Sequence, residues 1–80
     1  MFVVRSGNLG LSADEYIECN SAFEVGEVLR DAISDYRSEG FRLETCARTR
    51  RFKHLNPGES VRAALLISPV AAIAIQVERV

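Results

Sequence analysis

The sequence has little of what most metal-binding and catalytic sites require. Its 80 residues include one histidine and two cysteines, and Cys19 and Cys46 lack the close spacing of metal ligands. A strand running from Cys46 through Arg50 would hold the thiol more than about 20 Å from His54, too far for a cysteine–histidine pair. We therefore expect no metal, no cofactor, a solvated loop histidine and two buried, free thiols.

Long apolar runs and a signal segment are also missing. No stretch of about 18 apolar residues could span a membrane, and the first residues lack the basic and apolar regions of a secretory leader. Together with free cysteines, these absences favour a cytoplasmic protein. The chain is 80 residues long and 48% hydrophobic, which suits one small core and excludes a disordered segment. We predict a single domain over residues 1–80.

The net charge is close to zero, but the two signs are separated along the chain. Ten basic residues against eleven acidic ones give a net charge of -1, which excludes a wholly basic nucleic-acid binder of the histone kind. Residues 1–40 nevertheless carry a charge of −5, and residues 41–80 carry +4. We expect two surfaces of opposite sign.

One amphipathic helix is predicted over residues 22–39. Ser21 and Glu24 form a capping box, in which each side chain accepts a hydrogen bond from the other residue's amide. Apolar residues then recur with helical spacing from Val25 to Tyr36, and a glycine, Gly40, is suited to end the helix in a left-handed conformation.

The rest of the sequence is typical of strands. Apolar and polar residues alternate with a period of two in three segments, 41–50, 61–67 and 71–77. Turn residues at 56–58 and 68–69 separate them and predict an antiparallel meander. Residues 2–5 and 15–19 are predicted as strands around a turn at 7–10. The fold class is therefore α+β, with one helix packed on a four- to five-stranded, mostly antiparallel sheet in the order β(β)αβββ.

A row of carboxylates follows the predicted helix within an arc of about 120°. We call the row the acidic ridge; its members are Glu24, Glu27, Asp31, Asp35 and Glu39. The apolar arc adjoins the ridge on one side, and Arg30 and Arg37 lie on the other flank. Carboxylates spaced i,i+4 repel one another, and the last two oppose the helix dipole. Local stability does not favour such a row, so it is either a solvated face or a docking surface for a basic partner.

A cluster of basic residues lies at the end of the first predicted meander strand and in the loop that follows it. We call it the basic segment; its members are Arg48, Arg50, Arg51 and Lys53. With Phe52 among them, these side chains would hold phosphates and stack one base. The alternative is that the charges keep a sheet edge from aggregating.

One helix covers only one face of a sheet. On the alternation above, the uncovered face includes small or flat side chains, namely Cys46, Ala64, Leu66, Ala72 and Ala74. These side chains either have no specific role or form an interface for a homodimer or another partner.

The sequence favours a non-catalytic interaction protein. Our first hypothesis is a small regulator or inhibitor whose acidic ridge occludes a basic surface of a larger protein or nucleoprotein complex. Phage-encoded anti-defence proteins such as anti-CRISPRs are often of this size, although no motif in the sequence indicates that class. The second hypothesis is a small nucleic-acid-binding domain that uses the basic segment. An enzyme is not expected, because 80 residues with one helix scarcely enclose a catalytic pocket.

Overall fold

A computed structural model of the protein describes residues 1–8 and 15–80. These residues form one helix, one 3₁₀ helix and five strands: β1 Phe2–Asn8, β2 Glu15–Cys19, α1 Ala22–Ser38, β3 Arg42–Cys46, η1 Thr49–His54, β4 Ser60–Ile67 and β5 Ala72–Arg79. The sheet has the order β2-β1-β5-β4-β3, and all its neighbouring strands are antiparallel. The predicted α+β fold and terminal meander are confirmed.

The first strand extends further than the sequence indicates. Gly7 and Asn8, predicted to begin a turn, belong to β1 and pair with β5. The rest of that predicted turn, residues 9–10, lies outside the described residues.

Local capping contacts fix both ends of α1. The Ser21 hydroxyl accepts a hydrogen bond from the Glu24 amide at 3.2 Å. The Glu24 carboxylate accepts one from the Asn20 amide at 3.0 Å, one residue before the amide that the capping box predicts. Gly40 takes a φ of +100°, and its amide donates to the Arg37 carbonyl at 3.1 Å. No helix in the described part of the chain is both long and apolar enough to cross a membrane.

The core lies between α1 and one face of the sheet. Val25 and Leu29 of the helix belong to one buried cluster with Ile75 and Val77 of β5 and Phe52 of η1. Burying each such side chain stabilises the fold by about 1.5–3 kcal/mol. The helix is therefore held against the sheet along its apolar face, which leaves its polar faces for solvent or partners.

A bulge in β4 reverses the faces that simple alternation assigns. The register with β5 shifts between Arg62 and Ala64, so Ala63 has no partner and every later side chain changes face. Ala64 and Leu66 are consequently buried in the core beneath α1. The prediction that they lie on the uncovered face is wrong.

Only two of the five residues predicted for the uncovered face lie on it. Ala72 and Ala74 lie there, and their β4 partners are Ile67 and Leu65; all four are half-buried. A second register shift, in β3, places Cys46 on the α1 side instead. That this face forms a dimer or partner interface stays a prediction for the two alanines.

The chain turns where the sequence predicts a continuous strand through Arg50. β3 ends at Cys46, and η1 begins three residues later. Phe52 has no exposed surface, so burial of this ring holds η1 against the core. The Arg79 guanidinium donates to the Leu55 carbonyl at 2.7 Å and fixes the far end of the turn.

Candidate functional site

The acidic ridge lies on the solvent side of α1. Glu27, Asp31 and Asp35 are exposed, and neither of the two ion pairs among the described residues involves them. Glu24 is engaged in the capping contact at the start of the helix, and Glu39 is the C-cap residue. The ridge therefore presents three carboxylates to a partner over about 12 Å of helix.

An exposed aromatic ring accompanies the ridge. Phe23 is 72% exposed and precedes Glu27 by one helical turn, so the two side chains are neighbours on the surface. Exposed aromatic side chains often anchor protein interfaces. No sequence prediction included Phe23, although its position outside the apolar arc of the helix marks it as exposed.

A groove runs between α1 and β3, on the other flank of the helix. It consists of three adjoining cavities of about 550, 460 and 580 Å³. The first two share Arg37, and the second and third share Cys46 and Ala47. We call these three neighbouring depressions together the α1–β3 groove. It follows β3 from one end to the other and continues along η1.

Basic side chains line the whole α1–β3 groove. They are Arg30, Arg37, Arg42, Arg48, Arg51 and His54. No carboxylate lines the groove among the side chains that the structure describes. Arg42 pairs with Glu44 at 3.2 Å, and the ion pairs among the described residues include none of the other arginines of the groove. The groove is therefore a concave, positively charged surface.

The floor of the α1–β3 groove is apolar. Leu29, Ile33 and Ala47 line its central cavity, and Phe41 and Leu43 line the end near the helix C-terminus. All but Leu29 are half-buried, so they contact the core on one side and the groove on the other. The groove combines an apolar floor with a basic rim.

The predicted basic segment reaches the groove only in part. Arg48 and Arg51 line it, whereas Lys53 is exposed and is not a lining residue. The side chain of Arg50 lies outside the described part of the structure. Phe52 is buried in the core, so the prediction that it stacks on a base is wrong.

Two arginines of α1 join this surface. Helical spacing predicts Arg30 and Arg37 on one flank of the helix, and in the structure this flank forms one wall of the α1–β3 groove. Their helical spacing revealed the flank, but no local signal indicated that β3 and η1 would lie opposite it.

The two cysteines have different surroundings. Both thiols are free, and the expectation of burial holds for Cys19 but not for Cys46, which is exposed. Cys46 and His54 line the same cavity, because η1 folds the chain back; the predicted separation of an extended strand is therefore wrong. The Cys46 thiol donates to the Ala47 carbonyl at 3.6 Å. No group of three potential metal ligands occurs among the residues that the structure describes.

Two ionisable groups at the other end of the sheet have shifted pKa values. Burial, reinforced by the nearby charge of Glu24, raises the pKa of the Cys19 thiol above its ordinary value. The hydrogen bond that the Tyr16 hydroxyl donates to Glu18 raises the pKa of Tyr16. Both shifts favour the protonated form, so these groups remain neutral at physiological pH and supply no nucleophile or base.

Two surfaces of opposite charge thus adjoin along α1: the convex acidic ridge and the concave α1–β3 groove. Comparisons of the chain with protein-family models, with curated proteins and with solved structures found no match. Any proposal of function therefore rests on the geometry and charge of these two surfaces.

Proposed function

We propose that this protein is a non-catalytic interaction module that binds a basic surface of a larger protein or nucleoprotein complex through the acidic ridge. The observation that carries the proposal is the placement of charge on α1. Glu27, Asp31 and Asp35 repeat along its solvent side, and the ion pairs of the described residues leave all three without a cation.

The energetics of the helix support this proposal. Each i,i+4 pair of like charges costs the isolated helix a few tenths of a kcal/mol. Asp35 adds to this cost because it lies in the last turn, where the helix dipole favours cations. A basic partner would relieve both costs on binding, so the ridge weakens the free protein slightly and strengthens its complex.

Shape and size suit a steric inhibitor or regulator. The 17 residues of α1 span about 25 Å, long enough to cover a basic cleft on a larger protein. Complementary charge would speed the encounter and fix its orientation, while Phe23 would supply an apolar anchor at one end. The phage-encoded anti-defence proteins, anti-CRISPRs included, are one class of inhibitor within this proposal, and the cytoplasm is the compartment that it implies.

Charge reversal on the ridge tests the proposal. The immobilised wild-type protein and the variant Glu27→Lys/Asp31→Lys/Asp35→Lys would be used to capture proteins from an extract of the source organism. Any protein retained by the wild type would then be purified and its affinity measured by calorimetry. We expect the triple variant to weaken that affinity by at least a hundredfold while remaining folded, because all three reversed side chains are exposed.

A control with the same change in net charge separates the ridge from general electrostatics. The variant Glu18→Lys/Glu44→Lys/Glu78→Lys places the same reversals on three strands of the sheet. It breaks the pairs of Glu44 and Glu78 with arginines, which as surface pairs contribute little to stability. Retained binding by the control supports the proposal. Equal loss in both variants, or undiminished binding by the ridge variant, would show that the ridge is not the contact surface.

Nucleic-acid binding is the second candidate function. Arg30 and Arg37 favour it, since they add to Arg48 and Arg51 along one groove, and the buried ring of Phe52 counts against it. Binding of this kind would weaken steeply with salt. A gel-shift titration with single-stranded DNA and RNA at low salt checks it, and the absence of a complex there would remove this candidate.

A further inference from the structure

We propose that the α1–β3 groove is a second, independent binding site, and that it takes an extended segment of a partner protein in which acidic and apolar side chains alternate. The site lies on a different flank of α1 from the acidic ridge. It does not depend on the function proposed for the ridge, and either surface can bind while the other is empty.

The floor of the groove sets the apolar part of the ligand. Ile33 and Ala47 are half-buried and face the central cavity. Apolar side chains of a bound segment would cover these residues and gain about 25 cal/mol for each Å² removed from water. A uniformly charged ligand would leave the apolar floor exposed to water.

The rim sets the acidic part of the ligand. Arg30 and Arg37 line one wall, and Arg48 and Arg51 line the continuation along η1. A guanidinium group forms two parallel hydrogen bonds with a carboxylate. Because no carboxylate of the described residues lines the groove, an acidic ligand meets no like charge and reduces the mutual repulsion of the arginines.

The aromatic residues in and beneath the groove favour a peptide over a nucleic acid. Binding of single strands relies on exposed rings on which bases stack. Phe52 is buried, and the Phe41 ring packs edge-on against Tyr36 at 5.6 Å between centroids. Phe52 therefore offers no stacking platform, and Phe41 is the one phenyl ring among the described side chains that line the groove. A nucleic acid would contact the arginines of the rim through its phosphates and leave the apolar floor uncovered.

The length of the groove sets the size of the segment. β3 has five residues and spans about 16 Å, so an extended segment of five or six residues would fill the groove alongside it. β3 is at the edge of the sheet, but a register shift next to Glu44 interrupts its regular pairing, and bulges oppose the addition of a further strand. Recognition would therefore come from side chains in the groove rather than from a new sheet ladder.

Fluorescence anisotropy with labelled hexapeptides tests the proposal on the full chain. The probe is a peptide of alternating glutamate and leucine, and the comparison ligands are hexaglutamate, alternating lysine and leucine, and a ten-nucleotide oligothymidylate. We expect the glutamate–leucine peptide to bind at least fivefold more tightly than hexaglutamate and the oligothymidylate. The lysine–leucine peptide should not bind.

Matched variants locate the binding. Arg30→Ser and Arg37→Ser should each weaken the binding of the glutamate–leucine peptide about fivefold. Arg62→Ser, at an exposed arginine outside the groove, should leave it unchanged. Ile33→Ala should weaken binding of this peptide but not of hexaglutamate, which separates the floor from the rim. Circular dichroism would check that each variant is folded to the same extent as the wild type.

Several outcomes would overturn the proposal. Tighter binding of oligothymidylate than of the glutamate–leucine peptide would assign the groove to nucleic acid. Equal affinities for Arg30→Ser, Arg37→Ser and Arg62→Ser, or no binding of the glutamate–leucine peptide, would also refute it. The ridge variant Glu27→Lys/Asp31→Lys/Asp35→Lys should keep its peptide affinity, so failure at the ridge and failure at the groove are distinguishable.

Discussion

The acidic ridge and the α1–β3 groove share one helix but are built differently. The ridge is convex, and α1 alone supplies its exposed carboxylates. The groove is concave, and α1 supplies one wall while β3 and η1 supply the others. Helical spacing accounts for the charge of the ridge, whereas the concavity of the groove needs elements that are distant in the sequence. A charged helix face therefore becomes one wall of a groove only where the fold brings a second element alongside it.

This difference predicts different sensitivity to mutation. The ridge should tolerate any change that leaves α1 helical. The groove should respond to changes in the core that fix η1 and β3, even where the altered residue is remote from the groove.

The first prediction concerns the residue that anchors η1. Phe52→Ala should lower the free energy of unfolding by about 3–5 kcal/mol, because a fully buried ring would be replaced by a cavity. Phe23→Ala removes the same ring from a 72% exposed position and should change stability by less than about 0.5 kcal/mol. Urea denaturation followed by circular dichroism measures both.

Equal effects of these two substitutions would contradict the anchoring role of Phe52. A second readout sharpens the test. If Phe52→Ala remains folded, its affinity for the glutamate–leucine peptide should fall, since the η1 wall would be released. Its affinity for a partner of the ridge should be unchanged.

The second prediction concerns the bulge in β4 that places side chains beneath the groove. Leu66→Ala should cost about 2–5 kcal/mol, since Leu66 is fully buried. Leu65→Ala, at a half-buried position on the uncovered face, should cost less than about 1.5 kcal/mol. The two substitutions are chemically identical, so the difference in urea midpoint reports which face each leucine occupies. A larger cost at Leu65 would show that β4 alternates without a bulge.

Patterns formed by residues that are close together in the sequence correctly predict part of the fold. The ends of α1 depend on residues within one turn, such as Ser21 and Gly40, and the alternation in β5 is uninterrupted from Ala72 onward. The acidic ridge follows from helical spacing alone. These features need no tertiary contact, so sequence patterns were sufficient for them.

The groove and the faces of β4 could not be predicted in this way. No glycine or turn residue next to Ala63 marks the bulge in the sequence. The bulge depends instead on the packing of Ala64 and Leu66 beneath α1. The alternating pattern predicts a strand as far as Arg50. The chain forms η1 there instead, because Phe52 is buried in a core that remote segments build. Long-range packing overrides local periodicity at such points.

The third prediction tests how far the charge of the ridge extends into the core. The pKa of Cys19 is raised above its ordinary value of 9.0, by burial first and by Glu24 second. Above that pH the unfolded thiol loses its proton while the folded one keeps it, so the free energy of unfolding should fall as pH rises. Cys19→Ala should show a shallower fall in urea denaturation between pH 8 and 10.

A matched substitution controls this measurement. Cys46 is exposed, and Cys46→Ala should leave the pH dependence as steep as that of the wild type. Glu24→Gln removes the second cause of the shift and should reduce the slope less than Cys19→Ala does. Identical slopes in the wild type and Cys19→Ala would show that the buried thiol is not responsible.

The smallest predicted effect bears most directly on the contrast between the two flanks of α1. Asp35→Asn should raise the free energy of unfolding by a few tenths of a kcal/mol, because it removes two i,i+4 repulsions and an unfavourable contact with the helix dipole. Arg37→Gln should lower it by a similar amount, since Arg37 is the basic residue of the last turn. Urea midpoints at 20 mM and 1 M salt check both, and high salt should shrink the two differences. If Asp35→Asn destabilised the protein instead, the carboxylate would have a structural partner, and the ridge could no longer be regarded as charge held for binding.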